Sequence, residues 1–127
     1  MNKILIVDDD SQIREIVKFF LEKQGYMIFE ASNGFKAIKL CKLNEFDLVI
    51  ADIYMPGMDG IKFIEELQKF SPKTKVIAIS GGEQCHFFSS GLQLASALHR
   101  GAIYSLKKPI KMEELQDIIK EIIVTAS

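Results

Sequence analysis

The sequence predicts an α/β fold, a doubly wound sheet of five parallel strands in the order 2-1-3-4-5, and three observations predict it. Short runs rich in β-branched residues recur along the 127-residue chain, helical patterns separate them, and the strongest runs are apolar without a break. Unbroken apolarity belongs to strands covered on both faces, the condition of a parallel sheet, whereas a sheet with one wet face alternates. Repeated strand-helix units joined by right-handed crossovers then leave the doubly wound arrangement.

The first run is Ile4 to Val7. Ile13, Ile16, Val17, Phe20 and Leu21 follow at helical spacing and stop at Gly25, which tolerates the left-handed conformation of a helix C-terminus. A weaker run, Met27 to Ala31, leads through the Asn33-Gly34 turn to a second helix marked by Phe35, Ala37, Ile38 and Cys41. Leu48 to Ala51 is the third strand. Phe63, Ile64, Leu67 and Phe70 mark a third helix that ends before Pro72. Val76 to Ile79 is the fourth strand, Ile103 to Leu106 the least distinct fifth, and Leu115, Ile118, Ile119, Ile122 and Ile123 define the last helix. Between Gly81 and Gly101 lies the anomaly, about twenty residues holding one poorly patterned helix and a long loop, against a median connection of ~4–6.

The length suits one domain, since domains run ~100–150 residues. Residues 1–127 are therefore expected to form a single domain with an extended segment at about 81–100. No second domain is expected within these 127 residues. Hydrophobic residues make up 48% and charged residues 26%, which excludes a disordered or collagenous chain. A formal charge of −1 offers no overall basic field for nucleic acid or an anionic membrane. The apolar runs are far short of the ~18 residues of a membrane span, and three aspartates beginning at Asp8 break any signal-peptide core. A cytoplasmic protein is expected. Cys41 and Cys85 lack metal-like spacing and are expected to be reduced and structural.

In an open α/β sheet the ligand site lies beyond the carboxyl ends of the strands, where the winding reverses. Asp8, Asp9 and Asp10 follow strand one, Asp52 follows strand three, Ser80 ends strand four, and Lys107, Lys108 and Pro109 follow strand five. Carboxylates, a hydroxyl and an ammonium thus converge on one rim. A dinucleotide site would carry GxGxxG in the first turn, and aspartates there exclude it. Clustered carboxylates repel one another and call for a cation, and hard oxygen ligands suit Mg²⁺. With the metal bound the rim attracts phosphate. Asp52 can then attack phosphorus while Lys108 neutralises charge on the equatorial oxygens and Ser80 donates a hydrogen bond to one of them.

Four motifs, Ile6-Val7-Asp8-Asp9-Asp10, Ala51-Asp52-Ile53-Tyr54-Met55-Pro56-Gly57-Met58-Asp59-Gly60, Ile79-Ser80-Gly81 and Lys108-Pro109, resemble the receiver domains of two-component response regulators. The resemblance covers essentially the whole chain and implies a flavodoxin-like, CheY-like fold. It implies that Asp52 is the phosphoacceptor and that Mg²⁺ is held by Asp9, Asp52 and the backbone carbonyl of Tyr54, with Asp8 acting mostly through water. Ser80 and Lys108 take the switch-hydroxyl and phosphate-pairing roles, and the donor is a phosphohistidine on a sensor histidine kinase or phosphotransfer protein. Two features depart from the family pattern. Ser105 stands where an aromatic is usual, with neighbouring Tyr104 on the opposite face of the strand, and the Gly81 to Gly101 segment is long. A readout through that segment is expected.

Simpler roles stand beside these. Asp10 is expected to cap the first helix and Asp59 to initiate the third. Lys108 is preferred over Lys107 because Pro109 fixes the adjacent backbone and is able to be cis. His86 and His99 lack partners at ligand spacing and are expected on the surface or in loops, while Phe87-Phe88 reads equally as a docking patch or a loop core. Competing functions are a haloacid-dehalogenase-like aspartyl-phosphate hydrolase, with Asp8 as nucleophile of an Asp-x-Asp motif, and a pseudo-receiver that binds partners without phosphorylation.

Overall fold

The computed structural model describes residues 2–53, 60–81 and 101–126. Among the described residues, strands β1 (Lys3–Val7), β2 (Met27–Ala31), β3 (Leu48–Asp52), β4 (Lys75–Gly81) and β5 (Tyr104–Lys108) and helices α1 (Ser11–Lys23), α2 (Gly34–Leu43), α3 (Gly60–Phe70) and α4 (Met112–Ala126) follow in the order β1-α1-β2-α2-β3-α3-β4-β5-α4. All strand pairs are parallel and the order is β2-β1-β3-β4-β5, as expected. Tyr54, Asp59, Cys85, His86, Phe87, Phe88 and His99, with the proposed readout segment beyond Gly81, lie outside the described residues.

Alternate residues of β1, β3 and β4 feed two separate cores, which is why those strands read as continuously apolar. Leu5, Val7, Val49, Ala51, Val76 and Ala78 pack with Ala37 of α2 and Phe63, Ile64 and Leu67 of α3. Ile4, Ile6, Leu48, Ile50, Ile77 and Ile79 pack with Val17 and Leu21 of α1 and Leu115, Ile119 and Ile122 of α4. With both faces occupied, the functional groups are left to the strand ends.

Local chemistry sets the helix ends. Asp10 caps α1, its Oδ1 accepting from the Gln12 amide at 2.9 Å, and Asn33 caps α2 by accepting from the Lys36 amide at 2.9 Å. At the far end of α1 the Gly25 amide donates to the Glu22 carbonyl and the Tyr26 amide to that of Leu21, a Schellman closure with Gly25 at φ +94°. Gly60 opens α3 for a steric reason, because a Cβ there would collide with the Asp52 carbonyl and the Ile53 backbone. The helix therefore starts directly against the end of β3. β5 runs two residues past its apolar stretch, to Lys108, since this edge strand keeps its ladder with β4 while its side chains turn polar. The Lys108-Pro109 peptide is cis.

Candidate functional site

Three carboxylates and one ammonium meet at the carboxyl end of the sheet. Parallel pairing sets Val7 beside Ala51, so the residues that follow, Asp8 and Asp52, leave neighbouring strands at one level. Asp8, Asp9 and Asp52 each bring a carboxylate oxygen within 4.8 Å of the others. Lys108 arrives at the end of β5 and places Nζ 2.9 Å from Asp52 Oδ2 and 3.0 Å from Asp8 Oδ2. Lys107, the neighbouring lysine, is exposed at its register position beside Ser80.

Burial makes these charges consequential. Asp8 and Asp52 are 3% and 2% exposed. Loss of water raises the Asp8 carboxyl above its ordinary value, against the lowering effect of the Asp10 amide, which donates to Asp8 Oδ1 at 2.9 Å, and of Lys108. Burial alone would lower the Lys108 ammonium, but the hydrogen bonds and charges of Asp52 and then Asp8 outweigh it and hold Lys108 above its usual range. The site thus keeps its cation and strains toward one fewer negative charge. Hard carboxylate oxygens so close together fit a small divalent cation such as Mg²⁺.

Ser80 follows Ile79, the register partner of Asp52, and its Oγ is fully buried with no hydrogen bond among the described residues. A buried hydroxyl without a partner is uncommon, and here it stands ready to donate on the strand next to Asp52. Asp10 does not join the carboxylate group and serves as a cap, as expected. Cys41 is half-buried, and burial pushes its thiol up to about 11, an unreactive state consistent with a packing role. Tyr104 pairs with Ile77, packs on the α1/α4 side and is hydrogen-bonded to Glu121, which raises the phenol. Ser105 lies across from Ala78 on the other face. Sequence reasoning missed Arg14 of α1, whose Nη1 donates to the Asp8 carbonyl at 2.6 Å and whose Nε reaches Glu30 Oε1 at 3.3 Å. Its signal was an arginine one helical turn beyond the Asp10 cap, among the apolar positions of α1.

Comparison with known proteins agrees with this geometry. The profile described as the response regulator receiver domain matches residues 4–120. Sporulation initiation phosphotransferase F of Bacillus subtilis (strain 168) is 31% identical over 119 residues, covering 94% of this chain and 91% of that protein. The probable C4-dicarboxylate response regulator DctR of the same organism is 33% identical over 94% of this chain, which spans only about half, 51%, of that longer protein. A CheY-like receiver domain protein from Methanospirillum hungatei JF-1 superposes with a TM-score of 0.90 at 29% identity, covering 99% of this chain and 96% of its own. A rim of buried aspartates closed by a lysine, on a 2-1-3-4-5 sheet, and a family match over nearly the full length lead to one conclusion: the chain belongs to the receiver domains of two-component response regulators.

Proposed function

We propose that Asp52 accepts a phosphoryl group from a phosphohistidine on a sensor histidine kinase or phosphotransfer protein. The observation that carries this is the placement of the Lys108 ammonium within 3.0 Å of both buried carboxylates. A fixed cation there lies where charge on the transferring phosphoryl oxygens must be met. An Asp52 oxygen attacks phosphorus, the phosphorus–nitrogen bond breaks, and its electron pair returns to the donor imidazole. As the carboxylate becomes an acyl phosphate, Lys108 stays beside the oxygens it already pairs with, and the Ser80 hydroxyl donates a hydrogen bond to a phosphoryl oxygen. Asp8, Asp9 and Asp52, with the backbone carbonyl of Tyr54, would hold Mg²⁺, in keeping with the acidic metal sites of receiver domains. When bound, that ion supplies positive charge that lets an anionic phosphoryl group approach three carboxylates.

The whole chain acts in this proposal as one receiver unit, supported by a single sheet and a family match from residue 4 to 120. Its setting is the cytoplasm, where such donors work, and among the described residues no helix is long and apolar enough to cross a membrane. Phosphorylation then shifts the population of rim conformations and regulates a partner protein. The hydrolase alternative gains no support, since the family match over residues 4–120 is to receiver domains. The test is intact-mass analysis after incubation with acetyl phosphate and Mg²⁺, followed by peptide mapping. One added phosphoryl group on Asp52, lost in Asp52→Asn, is expected; a group mapped to Asp8 would overturn the assignment.

A further inference from the structure

We infer that Arg14 is a positioning residue for the acidic turn, orienting Asp9 toward the cation without touching it. The inference rests on the metal site proposed above. Asp9 is exposed, and among the described residues its carboxylate has no hydrogen-bond partner. The direction in which its Cα–Cβ bond leaves the chain is set by its backbone, and that backbone begins with the peptide linking Asp8 to Asp9.

Every polar group of Asp8 is engaged. Its amide donates to the Ala31 carbonyl of β2 at 3.1 Å, and its carboxylate takes the Asp10 amide and Lys108. The remaining group, the carbonyl oxygen, belongs to the Asp8–Asp9 peptide plane and accepts from Arg14 Nη1 at 2.6 Å. A planar peptide held at its oxygen is held as a whole, which fixes where the chain enters Asp9. The guanidinium is itself fixed, because Nε reaches Glu30, which also lies 3.5 Å from Lys18. Glu30 directly precedes Ala31, so β2 anchors the Asp8 amide through its backbone and the Asp8 carbonyl through Arg14. A planar donor fork reaches both acceptors at once, which a lysine ammonium does not reproduce. The site already described uses Asp9 directly and Arg14 only through that peptide.

The experiment measures Mg²⁺ affinity by calorimetry, and the rate of phosphorylation by acetyl phosphate across a Mg²⁺ series, for the unaltered chain, Arg14→Ala and Glu30→Gln. Removal of a hydrogen-bonding group behind a metal ligand costs about ten-fold or more in affinity, and that weakening is expected for Arg14→Ala, with the rate returning to the unaltered value at saturating Mg²⁺. Glu30→Gln alters an exposed side chain and tests the same link if Arg14→Ala fails to fold; it should weaken Mg²⁺ less, and add nothing in the Arg14→Ala background when both fold. Unchanged Mg²⁺ affinity in the folded variants, or a rate deficit that saturating Mg²⁺ does not repair, would overturn the inference while leaving the metal site standing. Absence of Mg²⁺ binding by the unaltered chain would instead overturn the metal site and the inference together.

Discussion

Strands β1 and β3 pass within one residue from one kind of interior to another. Ile4 to Val7 and Leu48 to Ala51 are almost wholly buried among apolar neighbours, and Asp8 and Asp52, the residues that follow, are buried nearly as deeply. In the first region burial itself stabilises, because each apolar side chain leaves water for close-packed contacts. In the second, burial costs free energy that Lys108 and the Asp10 amide only partly offset, as the raised Asp8 carboxyl records. The same sheet therefore holds a region optimised for stability and a rim kept short of its stability optimum, where a cation and a phosphoryl group can complete the balance.

The sharpest contrast comes from removing one large group from each region. Phe63 is fully buried in the core between the sheet and α2/α3. Phe63→Ala is expected to cost about 3–5 kcal/mol, through lost transfer and a residual cavity. Chemical denaturation should give the same loss with and without Mg²⁺, and a cost that Mg²⁺ largely repairs would show that core and rim are not separate.

Lys108→Ala should cost less, roughly 2 kcal/mol, because solvent reaches the ion pair while two buried carboxylates lose their cation. This loss, unlike the first, should depend on pH. Lys108 has a raised folded-state value, so its contribution is complete at neutral pH and disappears only as pH rises through that value, above the ordinary lysine range. Denaturation midpoints of the two proteins should therefore converge in strong alkali. A gap unchanged there would mean that Lys108 stabilises by packing alone.

Next in size is the difference between two neighbouring aspartates. Asp9→Ala should weaken Mg²⁺ binding by more than about ten-fold, whereas Asp10→Ala should leave affinity almost unchanged and cost ~1 kcal/mol of stability as a lost helix cap. Equal losses of affinity in a calorimetric titration would show that the acidic turn has been misassigned.

The legibility of these regions differs for physical reasons. A strand covered on both faces leaves a solid apolar run, so β1, β3 and β4 and their order could be read directly, and the rule that sites lie beyond strand carboxyl ends then pointed to Asp8, Asp52, Ser80 and Lys108. β5 was placed less well, since an edge strand carries its pairing into Lys107 and Lys108 without an apolar signal. The orientation of Tyr104 away from the Ser105 face followed from the two-residue period of a strand. Arg14 was not found, because its role depends on a contact with a backbone carbonyl, which no residue type announces. The close approach of Gly60 to Asp52 was hidden for the same reason, as the partner is again main chain.

The smallest expected effect tests the claim that the rim is held short of its stability optimum. Asp8 has a folded-state carboxyl raised by burial. For a raised group the stabilising contribution is complete below the unfolded value, near pH 3.9 for an aspartate, and is lost as pH rises through the folded value. At neutral pH in metal-free buffer the charged form is therefore a net cost, and Asp8→Asn should be more stable than the unaltered chain. The gain should be of order 1 kcal/mol or less, since the variant also weakens the hydrogen bond to Lys108. Acidification should shrink the gap, because protonation relieves the same cost of burying a charge in the unaltered chain. Saturating Mg²⁺ should reverse the ranking, as the chain that binds the ion more tightly gains more from it. Urea midpoints at neutral and acidic pH, each with and without Mg²⁺, check all three signs. Lower stability of Asp8→Asn in metal-free neutral buffer would mean that the ion pair outweighs burial and that the rim is stabilised much as the core is.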